Sequence, residues 1–196
     1  MSNDNNNGSD DTQLRRQITL RDGTPGVIRP MRPDDRGRIV AAFAQLDPNS
    51  IYTRYFTHLK ALPERALNRL KDIDFEHLAG LAVTIGSGDD EVVIGSSTYV
   101  VFDTPDGARA AEVAFTIEED YQGNGLARRL LETMIEIARR HRIVRFEADV
   151  LAGNAAMLAV FNRCGLPVRR RREGGVTHIE MDLVAEGAAD EPRPHP

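Results

Sequence analysis

The segment Tyr121-Gln122-Gly123-Asn124-Gly125-Leu126-Ala127 constrains the fold more than any other stretch of the chain. It lies between a strand-like run, Ala110–Ile117, and the most regular helical pattern in the sequence, Gly125–Arg142. In that pattern Leu126, Leu130, Met134, Ile137 and Ala138 form one apolar stripe. A second strand-like run, Arg145–Leu151, follows. Strand, helix and strand at this spacing make a βαβ unit, which places two parallel strands in one sheet. The glycines admit positive φ and let a ligand approach the backbone, and free N–H groups at a helix start suit phosphate oxygens. On the glycines alone, a tight strand-to-helix turn fits equally well. A dinucleotide G-x-G-x-x-G would need glycine where Arg128 stands, and no Gly-Lys-Ser/Thr follows to make a P-loop.

The flanking sequence predicts the other elements. Arg16–Leu20 and Gly26–Arg32 surround Asp22-Gly23 and read as a hairpin. Pro33-Asp34-Asp35 opens a helix carrying Ile39, Val40, Phe43 and Leu46. Pro48-Asn49-Ser50 punctuates, Ile51–His58 continues as helix, and Glu64–Lys71 forms a short one. Leu78–Ile85, Glu91–Phe102 and Ala110–Ile117 read as an antiparallel meander. After Arg145–Leu151 come a helix, Asn154–Arg163, and a hairpin of Pro167–Arg172 with Val176–Leu183. The expected fold class is α/β (α+β), a mixed and mostly antiparallel twisted sheet flanked by helices. Its 196 residues suit one domain, expected over 13–183 between disordered tails at 1–12 and 184–196.

Composition narrows the function classes. A net charge of −5 argues against nucleic-acid binding driven by charge. No apolar run approaches the roughly 20 residues that span a bilayer, so no membrane partner is expected. Cys164 is the single cysteine, which excludes an intramolecular disulfide, and no Cys/His spacing suggests a metal. The Asn/Asp-rich start has neither the basic nor the apolar part of a signal peptide, so a cytoplasmic location is expected.

Gln122-Gly123-Asn124-Gly125-Leu126-Ala127 resembles the Q/R-x-x-G-x-G/A acyl-CoA pyrophosphate loop of the GNAT acyltransferase superfamily. Asn154, Met157, Phe161, Gly165 and Leu166 stand at the spacing of that family's downstream helix. Asp22-Gly23-Thr24, Ile28–Asp35 and Ser50–Phe56 resemble the catalytic domain of bacterial Pat-type protein lysine acetyltransferases. The resemblance implies a GNAT fold whose central parallel strands splay apart, with acetyl-CoA as co-substrate and no metal. It implies an acceptor that is a protein lysine or a small amine, on a monomer or homodimer. It further implies that the backbone of Val113, Phe115 and Ile117 meets the pantetheine amides. Gln122, Gly123, Asn124, Gly125, Leu126, Ala127 and Arg128 would hold the pyrophosphate, and Asn154 the pantetheine arm.

Acetyl transfer to a lysine needs a base, because an amine with pKa near 10.4 is only about one part in 10³ neutral at pH 7. Strand alternation puts Glu112, Ala114 and Thr116 on one face, leaving room for a substrate beside the carboxylate. From the pattern alone, a solvent-facing glutamate is the commoner case. Ala111-Glu112-Val113-Ala114 matches the segment bearing the catalytic glutamate of Pat-type enzymes, and that resemblance assigns Glu112 the base. Phe161 replaces the tyrosine with which many GNAT enzymes protonate the departing thiolate, so no acid is assigned. The same absence is a feature of Pat-type domains, so the replacement fits that resemblance; it is also the sequence support for an alternative, a non-catalytic acyl-CoA sensor. Tyr52, Arg54, Tyr55 and Phe56 fall on the acceptor side, as pocket residues or as packing. Arg169–Arg172 reads as a solvated edge strand.

Overall fold

The computed structural model describes residues 11–184. Eight strands form one sheet: β1 (Arg16–Thr19), β2 (Pro25–Pro30), β3 (Leu78–Ile85), β4 (Val92–Asp103), β5 (Arg109–Ile117), β6 (Arg145–Leu151), β7 (Val168–Glu173) and β8 (Val176–Asp182). Their order across the sheet is β1-β2-β3-β4-β5-β6-β8-β7. Every neighbouring pair is antiparallel except β5 with β6, the strands of the βαβ unit.

Five α-helices cover the sheet: α1 (Arg36–Gln45), α2 (Pro48–Tyr55), α3 (Glu64–Asn68), α4 (Leu126–Arg140) and α5 (Ala155–Asn162). The main core joins α4 to one face. Leu130, Leu131, Met134 and Ile137 bury their side chains against Leu81, Val83, Tyr99, Val113 and Phe146. Ala82 and Val93 point to the opposite face, where they meet Met31, Leu70 and the α1 residues Ile39 and Ala42. The first of these cores is the larger, and it fixes the position of β5, whose odd-numbered side chains belong to it.

A buried ion network fastens the start of α1 to the sheet. Arg29 on β2 bonds both carboxylate oxygens of Asp35, at 2.7 and 2.6 Å, and both of Glu91, at 3.0 and 3.1 Å. Its remaining N–H donates to Pro30 O at 2.9 Å. Paired this way, burying the charge is affordable, because every donor of the guanidinium finds an acceptor. The Asp35 bonds raise the Arg29 pKa above its ordinary value against the opposing effect of burial.

Two boundaries differ from the sequence expectation for physical reasons. Pro48 begins α2 instead of interrupting the chain. Asp47 caps the helix by accepting from Asn49 N at 2.7 Å, and proline is well suited to a first turn. The tail expected at 1–12 ends earlier, because Asp11 is buried in a 3-10 turn. It accepts from Arg140 and lies 2.9 Å from His141 Nε2, both at the end of α4. Residues 1–10 and 185–196, the rest of both expected tails, lie outside the described residues. The Arg169–Arg172 run forms the exposed outer strand β7, with Arg169 bonded to Glu180 at 3.2 Å.

Candidate active site

The site begins where β5 and β6 part. The two strands pair at Ala110–Arg145, Ala111–Phe146 and Glu112–Glu147, and the ladder then stops. On its other edge β5 stays paired to β4 from Arg109 through Ile117. Strand periodicity decides which groups face the gap. Arg109 O accepts from Val144 N at 2.9 Å on the β6 side, whereas Glu118 N donates to Ile94 O on the β4 side. Odd-numbered residues therefore direct their backbone N–H and C=O toward β6. Val113 stands at the branch point, and Phe115 lies wholly beyond it, with its backbone groups facing the gap. The Ile117 carbonyl also turns that way, where it accepts from Gln122 Nε2 at 3.3 Å.

The gap opens into a cleft of about 400 Å³. Its walls come from β5, the β6 residues Ala148–Val150, the loop and first turn of α4, one side of α5, and α2. Every expected site residue except Asn124 lines it. The Asn124 side chain is engaged within the loop, which leaves its backbone N–H as the group it can offer a ligand. Its Oδ1 accepts from Arg21 N at 2.9 Å and its Nδ2 donates to Tyr121 O at 3.1 Å. Asn124 thus shapes the turn by tying it to the β1–β2 hairpin. Gly123 and Gly125 both have φ of +75°, the left-handed region that a side chain would strain. Gly125 is the N-cap of α4, so the opening N–H groups of that helix, which have no intrahelical acceptor, meet the cleft at Leu126, Ala127 and Arg128. Arg128 is exposed and bonds Glu132 one turn on, at 2.8 Å.

Asn154 caps α5, its Oδ1 accepting from Met157 N at 3.1 Å. The cap leaves the Nδ2 donors for a ligand in the cleft. Phe161 is buried and packs edge-on against Phe115, with ring centroids 6.0 Å apart. The position therefore presents hydrocarbon where a tyrosine would offer a proton.

Glu112 is exposed in the cleft on the face opposite the main core, with Ala114 and Thr116 beyond it along the strand. Of the acceptor-side residues flagged in the sequence, Arg54 and Phe56 line the cleft, together with Ser50 and Thr53. Tyr52 instead stacks on His58, and Tyr55 packs against Phe43. Asp149 and Val160 also line the cleft, and the sequence singles out neither. Asp149 pairs with His178 across the β6–β8 ladder, a contact that only the register reveals. Among the described residues no cluster of His, Cys, Asp or Glu is arranged to hold a metal. No described helix is long and apolar enough to cross a membrane.

A strand edge left open beside a helix-capped glycine turn suits a long coenzyme with amides in its arm and a diphosphate at its end. Comparison with known families agrees. The model of the acetyltransferase (GNAT) domain matches residues 27–167. The chain belongs to the GNAT acetyltransferase family. As a GNAT member it is an acyl-CoA-dependent N-acetyltransferase, with acetyl-CoA as its co-substrate. It is 30% identical over 139 residues to an acetyltransferase of Pseudomonas aeruginosa, covering 71% of this chain and 73% of that one. It is 31% identical over 168 residues to the acetyltransferase Pat of Mycolicibacterium smegmatis, covering 85% of this chain but only 48% of that protein. The crystal structure of the GNAT domain of S. lividans PAT superposes with a TM-score of 0.75 at 34% identity, covering 86% of this chain and 96% of that one. The yncA acetyltransferase of Salmonella typhimurium, solved with acetyl-CoA, shares the fold at a TM-score of 0.66 and 18% identity, over 85% of this chain and 99% of that one.

Proposed function

We propose that this GNAT enzyme transfers the acetyl group of acetyl-CoA to a lysine ε-amine of a protein, by direct attack in a ternary complex with Glu112 as general base. The observation that carries the reading is the position of Glu112. It is an accessible carboxylate at the last residue of β5 that pairs with β6, at the mouth of the gap and on the face left open to an acceptor. The resemblance to Pat-type domains supports a protein lysine as the acceptor.

In this mechanism the backbone of Val113, Phe115 and Ile117 aligns the pantetheine amides as an added strand would. The amides of Gln122–Arg128 and the Arg128 side chain hold the diphosphate, and Asn154 Nδ2 donates to the arm. Glu112 accepts a proton from the incoming ammonium, directly or through one water. The neutral nitrogen attacks the thioester carbonyl, and a backbone N–H of Val113–Phe115 faces the oxygen as it gains charge. The new C–N bond forms, the C–S bond breaks, the CoA sulfur leaves as thiolate, and the nitrogen gives up its second proton to water, leaving a neutral amide. No proton for that sulfur comes from Phe161.

The test is incubation of a cell lysate with labelled acetyl-CoA and either the protein or its Glu112→Gln variant, followed by identification of modified residues. The proposal expects new acetyl-lysines that require Glu112. Labelling of small amines with no labelled protein would move the acceptor to that class. Equal labelling by the variant would remove Glu112 from its role.

A further inference from the structure

We infer that Arg54 binds a carboxylate carried by the acceptor close to its reactive amine, so that the enzyme selects lysines with an acidic group beside them. The inference rests on the lysine reading above and gives that acceptor a chemical signature.

Two arginines line the cleft, and they are placed differently. Arg128, at the glycine-turn end, has Glu132 as partner. Arg54, on α2, forms no hydrogen bond and no ion pair among the described residues. Its guanidinium lies over the Tyr55 ring, 4.8 Å from the centroid, and Tyr55 is itself braced edge-on by Phe43. This aromatic floor holds the guanidinium without using any of its five N–H donors. Burial pushes the Arg54 pKa below its ordinary value, and the charges of Tyr55 and Glu112 oppose that shift. Glu112 is thus an electrostatic neighbour, yet it lies beyond ion-pair distance.

An ammonium drawn to Glu112 and an anion drawn to Arg54 would sit side by side in one cleft. Ser50 lies one turn before Arg54 on the same helix and lines the same wall, offering a hydroxyl to the anion. A partly buried guanidinium whose donors meet no protein acceptor suits an anion, and a carboxylate fits its planar fork with two bonds. The diphosphate is the other anion entering the cleft, and its expected seat is the glycine turn. Glu112 lies five residues before Ile117 on an extended strand, well removed along β5 from that turn.

The test measures kcat/KM for two short peptides that differ only in Glu or Gln beside the lysine, and for free lysine against lysine amide. A charge-assisted bidentate contact predicts about a tenfold or greater preference for the carboxylate-bearing member of a pair. Arg54→Gln should bring that ratio near one, and Arg54→Lys should keep part of it. Calorimetry with acetyl-CoA on each variant verifies that the cleft is intact. A ratio confined to the peptides assigns the carboxylate to a neighbouring side chain, and a ratio confined to free lysine assigns it to an α-carboxylate. Turnover of the peptides without any preference, or with a preference that survives in Arg54→Gln, overturns the inference and leaves the lysine reading standing. No turnover of any lysine acceptor overturns both.

Discussion

Arg29 is fully buried and Arg54 is partly buried in the wall of the cleft, and they have opposite fates. Arg29 has one acceptor for each of its five N–H groups, while Arg54 has a ring beneath it and its donors vacant. The backbone repeats the contrast. Between β2, β3 and β4 each ladder runs the length of the shared strands with a single bulge, but β5 loses β6 after Glu112 while keeping β4. One half of the molecule consumes its polar groups in holding itself together, and the other keeps them for ligands. The lesson is that unsatisfied groups in a folded chain are informative when they converge on one cavity.

The largest effect expected of this division is catalytic. Glu112→Gln should lower kcat by about 10²–10⁴-fold, the range of general base catalysis, while acetyl-CoA affinity stays within about twofold. Steady-state kinetics and calorimetry on the same preparation check both halves of the statement.

The next effect sets the two arginines against each other directly. Arg29→Met takes both close guanidinium bonds from buried Asp35, leaving it Arg38 at 3.7 Å and the Arg32 N–H, and should cost about 3 kcal/mol of stability. Arg54→Met leaves no carboxylate stranded at ion-pair distance and should change stability by less than about 1 kcal/mol. Denaturant melts of the two variants that gave similar losses would erase the distinction.

A smaller effect separates structure from binding within one side chain. Asn154→Asp keeps the oxygen that caps α5 but removes the Nδ2 donors. The helix cap should survive, and acetyl-CoA should bind several-fold more weakly, the worth of one hydrogen bond. Loss of the cap with unchanged affinity would reverse the assignment.

The smallest effect belongs to the scaffold. Burial pushes the Asp74 carboxyl up, but bonds from His77 and Leu78 outweigh it and hold the pKa near about 2. A depressed folded-state pKa contributes stability above the unfolded value near 3.8, and that contribution is lost as pH falls toward 2. Asp74 is half exposed, so the contribution is at most about 1 kcal/mol. Thermal melts of Asp74→Ala should show a shallower fall in Tm across that acidic window.

What the sequence displays and what it conceals follow the same division. The glycine turn, the α4 stripe and the parallel pair around them are local patterns, and the fold places them as expected. Glu112 is legible as a position on a strand face, because alternation needs only neighbours in sequence. Asp11 is not legible, since an acid in an Asn/Asp-rich stretch gives no sign that Arg140 and His141 will enclose it. Asn124 is legible as a member of the loop, but the partners of its side chain, Arg21 N and Tyr121 O, are set by the turn and not by the motif. Arg54 stood out only as one member of an ambiguous aromatic run. Its vacancy is a property of three-dimensional surroundings, and no spacing encodes it.

The open edge of β5 as the seat of the coenzyme is tested most directly by amide hydrogen exchange with and without saturating acetyl-CoA. The Phe115 N–H, which faces the gap, should slow markedly when the coenzyme binds, while Ala114 and Thr116, directed toward β4, should keep their existing protection. Binding detected by calorimetry with no change at Phe115 would contradict the account, because the coenzyme would then lie elsewhere than along that strand.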